Sequence, residues 1–95
     1  MKRSIKIQPD VLSQTVDNEV VLLDLKNESY FGLNEVGARL WQLLQEGNDL
    51  EQVYAIIGNE YDVDAVALQQ DLDKLVDDLV KAELLQVIEE WKLSG

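Results

Sequence analysis

The apolar pattern is strand-like before residue 34, in short alternating or continuous runs, and helical after it, with apolar residues at every third or fourth position. Ile5 and Ile7 alternate with Ser4, Lys6 and Gln8, the period of a short strand. Pro9-Asp10 ends it, because proline cannot donate to a ladder. Val11 to Val16 reads as a second short strand, and Asp17-Asn18 is a turn pair. Glu19 to Leu25 is the clearest strand: Val20, Val21, Leu22, Leu23 and Leu25 are broken only by Asp24. Lys26-Asn27-Glu28 turns the chain into Ser29-Tyr30-Phe31-Gly32-Leu33, which makes a β-hairpin. In strand 19–25, Val21, Leu23 and Leu25 point one way while Val20 and Leu22 point the other. A sheet with one wet face would alternate cleanly, so both faces are expected to be covered at least in part, by helices or by a partner.

Asn34 is placed to cap a helix, with Glu35 in the first turn where the dipole favours an acid. Val36, Leu40, Trp41, Leu43 and Leu44 form its apolar side, and Gly47-Asn48 stops it. Asp49 caps a second helix with Gln52 three residues on, a capping-box spacing. Leu50, Val53, Tyr54 and Ile57 are its stripe. Gly58 interrupts the pattern, so this helix is expected to be short or bent. Asp62 or Asp64 caps a third helix whose stripe is Val66, Leu68, Leu72, Leu75, Val76 and Leu79. Ala82-Glu83 ends it, and Leu84 to Ile88 reads as a final short strand. The order predicts an α+β fold of winged helix-turn-helix outline: an N-terminal three-stranded antiparallel sheet followed by three helices. The length of 95 residues fits one domain, with residues 1–4 and 89–95 expected to fray.

Composition narrows the function. With 19 acids against 8 bases the formal charge is −11, which repels nucleic acid and anionic lipid. Cysteine and histidine are absent, which removes thiol chemistry, the commonest general base and the commonest metal ligand. No stretch resembles a signal peptide or approaches the ~20 apolar residues of a membrane span. A cytoplasmic, non-enzymatic binding module without a cofactor is the expectation.

Specific chemistries fit poorly. As a DNA-reading helix, the third helix would carry Asp71, Asp73, Asp77 and Asp78 against Lys74 and Lys81, adding repulsion where phosphates need neutralising. A solvated acidic face explains it better. None of Ser4, Ser13, Ser29 and Ser94 follows an aspartate, so the Asp-Ser-Leu of acyl carrier proteins is missing. Asp62-Val63-Asp64 begins like a calcium loop, but Val66 falls at a ligand position and Ala67 at the glycine position. Capping by one of these aspartates is the simpler reading.

Strand addition remains. Residues 29–33 carry no charge and no proline, the usual guards of a sheet edge. Were this strand at an edge, an extended peptide could pair with it. Pattern alone leaves open whether another strand or a loop covers it.

Val21-Leu22-Leu23-Asp24-Leu25 and the run Tyr30-Phe31-Gly32-Leu33-Asn34-Glu35-Val36-Gly37-Ala38-Arg39-Leu40-Trp41 resemble the PqqD-like family. It is also known as the RiPP recognition element, where RiPP means a ribosomally made and post-translationally modified peptide. The resemblance continues through Leu43-Leu44, Gly47, Tyr61-Asp62-Val63-Asp64, Leu79 and Leu84-Leu85, covering residues 5–88. It implies a non-catalytic winged-helix domain that binds the leader region of a precursor peptide. The leader adds as an antiparallel strand in the cleft between the third strand and the third helix. The partner is a maturation enzyme, either the leader protease of a lasso-peptide pathway or a radical SAM enzyme; a winged-helix regulator without a peptide role is the remaining alternative. By the same resemblance Ser29, Tyr30, Phe31 and Gly32 form the docking strand. Leu68, Asp71, Leu72, Lys74, Leu75, Asp78 and Leu79 belong to the third helix, with Leu72 and Leu75 open between core and cleft. Neither nucleic acid nor membrane is an expected partner, and the oligomeric state is open.

Overall fold

The computed structural model describes residues 2–90, with side chains described for residues 4–88. Five strands and three helices follow in the order β1 (Lys2–Ile7), β2 (Val11–Val16), β3 (Glu19–Asp24), β4 (Ser29–Leu33), α1 (Glu35–Gln45), α2 (Leu50–Glu60), α3 (Ala65–Lys81) and β5 (Leu85–Glu90). Strands β2, β3 and β4 form an antiparallel sheet in that order, as expected. The sequence pattern does not say where the first and last strands pair. They make a separate two-stranded sheet with Lys2 opposite Glu90 and Ile7 opposite Leu85. Pairing thus reaches residues 2–4 and 89–90, where fraying was expected; residues 1 and 91–95 lie outside the described residues.

Local chemistry sets the helix boundaries. Asn34 accepts from the Gly37 amide at 2.9 Å. Asp49 and Gln52 close a full capping box, with bonds of 2.8 and 2.9 Å, and Asp64 rather than Asp62 caps α3. Gly47 takes the left-handed φ of 97° that ends α1. Helix α2 runs through Gly58 to Glu60 and is not shortened there, because α1 and the neighbouring elements pack along it.

Leu22, Leu40, Trp41, Leu50, Ile57, Leu72 and Leu79 are almost wholly enclosed between the three-stranded sheet and the helices. Val66, expected in the α3 stripe, is 64% exposed. It lies two residues from Leu68, about 200° around the helix, and so faces away from the core.

Asp24, the polar break in the clearest strand, is buried and organises the hairpin. Its carboxylate accepts from the amides of Lys26 and Asn27 at 3.1 and 3.2 Å and from the Asn27 side chain at 2.8 Å. The Asn27 side-chain bond is the largest influence holding its pKa below the ordinary aspartate value. A carboxylate with a depressed folded pKa contributes stability above its unfolded pKa and loses it as pH falls toward the folded one. Asp24→Ala is therefore expected to lower the melting temperature at neutral pH and to shallow its decline on acidification. Thermal melts from neutral to acid pH check this, and an acid limb identical to the parent's would count against it.

Candidate functional site

Among the described residues strand β4 is an edge strand, paired only with β3. Its hydrogen-bond phase follows from the register. The Leu25 amide donates to the Asp10 carbonyl at 3.0 Å, continuing the ladder in which Val11 faces Asp24. Antiparallel pairs alternate between bonded and non-bonded. Residues 19, 21 and 23 therefore bond toward β2, and residues 20, 22 and 24 toward β4. Opposite these last three stand Leu33, Phe31 and Ser29. The amides and carbonyls of Tyr30 and Gly32 are thus left pointing out from the free edge.

Side chains alternate in the same way. Leu33 and Phe31 turn inward, where Leu33 is buried and Phe31 is half-buried against the core. Tyr30 is 79% exposed on the outer face. Leu12, Leu23 and Tyr30 stand in one row across all three strands. Val20 and Leu22 face the helices, while Val21 and Leu23 are only half-buried and Leu25 is exposed. Of the two faces expected to be covered, the described helices cover one.

Beside the inner face of β4 opens a groove of about 520 Å³. Gly32 and Leu33 form its strand wall, and Leu68, Asp71, Leu72 and Leu75 its α3 wall. Val36 and Gly37 of α1 and Tyr61 and Val63 of the α2–α3 connection also line it. Gly37 makes the close approach of α1 possible. A Cβ there would lie 3.2 Å from methyl carbons of both Leu33 and Leu75. Burial, followed by the nearby Glu35 and Glu60 charges, holds the Tyr61 phenol above its ordinary pKa, so it stays protonated. Arg39 on α1 grips Glu60 through two bonds of 2.8 and 2.6 Å, fixing the end of α2 just before the groove-lining connection. The lining is mostly apolar, and Asp71 is the charged residue among it.

Of the residues singled out in the sequence, Gly32, Leu68, Asp71, Leu72 and Leu75 meet around this groove. Ser29, Tyr30 and Phe31 lie along the same edge strand outside the lining. Lys74 and Asp78 also fall outside the lining and pair with each other at 3.5 Å. Leu79 is a correction: its side chain is fully enclosed in the core, so it presents no surface to a cleft. Leu72, nearly as enclosed, reaches the groove as its floor. Leu33, Asn34, Val36, Gly37, Tyr61, Val63 and Ala67 also line the groove without having been singled out as candidates, although Tyr61 and Val63 belong to the Tyr-Asp-Val-Asp segment and Asn34, Val36 and Gly37 to the capped start of α1.

Comparison with known proteins bears on this arrangement. The family model described as coenzyme PQQ synthesis protein D (PqqD) matches residues 19–85. No curated protein sequence matches the chain. Among solved structures, TbiB1 in complex with the TbiA(beta) leader peptide is 41% identical, with a TM-score of 0.81 over 90% of this chain and 99% of that one. A lasso peptide synthetase B1 complexed with the leader peptide is 25% identical, with a TM-score of 0.77 over 87% of this chain and 98% of that one.

Proposed function

Because the chain belongs to the PqqD family of RiPP recognition elements, we propose that it captures the leader segment of a ribosomal precursor peptide by strand addition to β4 and presents it to a maturation enzyme. Members of the family are generally non-catalytic binding domains, and we read this chain as one. The observation that carries the proposal is the unguarded β4 edge, with Tyr30 and Gly32 offering their backbone groups beside an apolar groove. In that reading, leader residues opposite Tyr30 and Gly32 supply the ladder bonds. Those opposite Phe31 and Leu33 turn inward toward Leu68, Leu72 and Leu75. Lys74 and Asp78 contribute to the field of α3 rather than to the groove wall. Likeness to a lasso peptide synthetase B1 over most of the chain supports a lasso-type leader protease as the partner, ahead of a radical SAM enzyme.

A fluorescence-anisotropy titration of a labelled leader peptide of the cognate ribosomal precursor tests this, with the core peptide and a duplex DNA as controls. Saturable binding of the leader alone is expected. Equal binding of leader and core peptide, or no leader binding with or without the partner enzyme, defeats the proposal.

Charge adds a second expectation. Asp71 lines the groove, and the chain from residue 47 onward holds 12 acids against 3 bases. A leader with lysine or arginine near Asp71 is favoured and is captured faster. Its affinity is expected to fall as salt rises and exposed charges are screened, and Asp71→Asn to shallow that dependence. An affinity constant from low to high salt would remove charge from the account.

A further inference from the structure

Among the described residues the three-stranded sheet has a second free edge, along β2. The hydrogen-bond phase that frees Tyr30 and Gly32 also frees the amides and carbonyls of Ser13 and Thr15, which stand opposite Leu22 and Val20. Natural sheets guard such edges with charge, proline or a covering element. Val11-Leu12-Ser13-Gln14-Thr15-Val16 holds neither charge nor proline, in a chain of net charge −11. The strand is also chemically palindromic about Gln14. Ser13 and Thr15 flank it with hydroxyls; beyond them Leu12 and Val16 are apolar and 53% and 54% exposed.

We propose that β2 pairs antiparallel with β2 of a second copy of this chain, about a two-fold axis through Gln14. That register sets Ser13 against the partner's Thr15 and Thr15 against the partner's Ser13, using every outward backbone group of these residues. On the outer face, Leu12 covers the partner's Val16 and Val16 the partner's Leu12, so exposed apolar side chains meet twice. The two Gln14 side chains lie directly opposite each other. Such cross-strand neighbours are the stabilising units of a sheet, and the contact is isologous, as a two-fold dimer requires.

A leader peptide is the weaker candidate for this edge. The groove beneath β2 has Val20, Ala38 and Trp41 in its lining but is rimmed by Ser13, Thr15, Asp17, Glu35, Arg39, Gln42 and Gln45. That is a far more polar and charged surround than the one beside β4, where Asp71 is the charged residue. Self-pairing joins two sheets into one of six strands with a β4 edge at each end, so both copies keep their leader site. Net negative charge opposes the association, and salt relieves that opposition.

Sedimentation equilibrium of the full chain at low and high salt, with position 14 varied, tests the proposal. The parent is expected to self-associate, more tightly at high salt. Gln14→Lys and Gln14→Glu, each placing like charges face to face, are expected to weaken the dimer by about fivefold or more. Gln14→Lys does so even though it lowers the net charge. An equimolar mixture of the two variants is expected to recover the dimer, because position 14 meets itself only in this register. Melts of both variants at low concentration should match the parent, since the Gln14 side chain is exposed. A parent that stays monomeric at millimolar concentration in both salts overturns the proposal. So does self-association that ignores both Gln14 variants, that a mixture fails to restore, or that disappears on Gly32→Pro.

Discussion

Proline at position 32 is expected to weaken leader capture by about one to two orders of magnitude and leave the fold in place. The Gly32 amide points away from β3, so its loss costs the β3–β4 ladder nothing. Its φ lies outside the left-handed region, and a Cβ there meets no atom within 4 Å. Proline is tolerated on edge strands for this reason, and Phe31 before it already has the extended backbone that proline demands. The incoming peptide has no such freedom. It loses a donor and is left with an unsatisfied carbonyl, at a cost of ~1–3 kcal/mol. The ring also intrudes where the peptide backbone must lie. A loss of affinity on the order of 10–100-fold follows. Gly32→Ala keeps the amide and should bind nearly as the parent does. Anisotropy titrations paired with circular dichroism melts check both variants. Unchanged leader affinity in Gly32→Pro would falsify docking on this edge.

The parts of this fold legible in the sequence are those decided within a few residues. Asn34, Asp49 with Gln52, and Asp64 each satisfy an amide within three positions of themselves. Hairpin β3–β4 closes through Asp24 and Asn27. Strand β4 has the bounds its composition predicts. Pairing of β1 with β5 was not legible. Lys2 and Glu90 are neighbours only because the helices between them fold back, and no local pattern encodes that closure.

The candidate site divides along the same line. That β4 lacks charge and proline is written in residues 29–33; that its edge is vacant depends on where β1 and β5 go. The α3 stripe is written in its spacing, yet Leu68, Leu72, Leu75 and Leu79 look alike there. Their division into groove wall and core is set by how closely α1 approaches, and that is decided by Gly37 against Leu33 and Leu75. The connection through Tyr61 and Val63 enters the site only because α2 and α3 meet there.

Phe31 separates packing from recognition, since it sits on the docking strand and points inward. It stands opposite Leu22, which is fully buried, and packs against the core without lining the groove. Phe31→Ala is therefore expected to act first on stability. The cost is about 3 kcal/mol, at the low end for such truncations because the ring is only half-buried. A domain of this size holds roughly 5–15 kcal/mol in total, so the melting temperature should drop by about 10–20 °C. Leader affinity of the protein still folded at low temperature should fall only a few-fold. The Tyr30 and Gly32 backbone groups and the α3 wall survive; what is lost is one inward neighbour of the added strand. Phe31→Leu, which refills most of the space, should recover most of the melting temperature. If Phe31→Ala melted like the parent yet lost leader binding tenfold or more, the ring would be a contact of the peptide and the groove would extend further along β4 than its lining indicates.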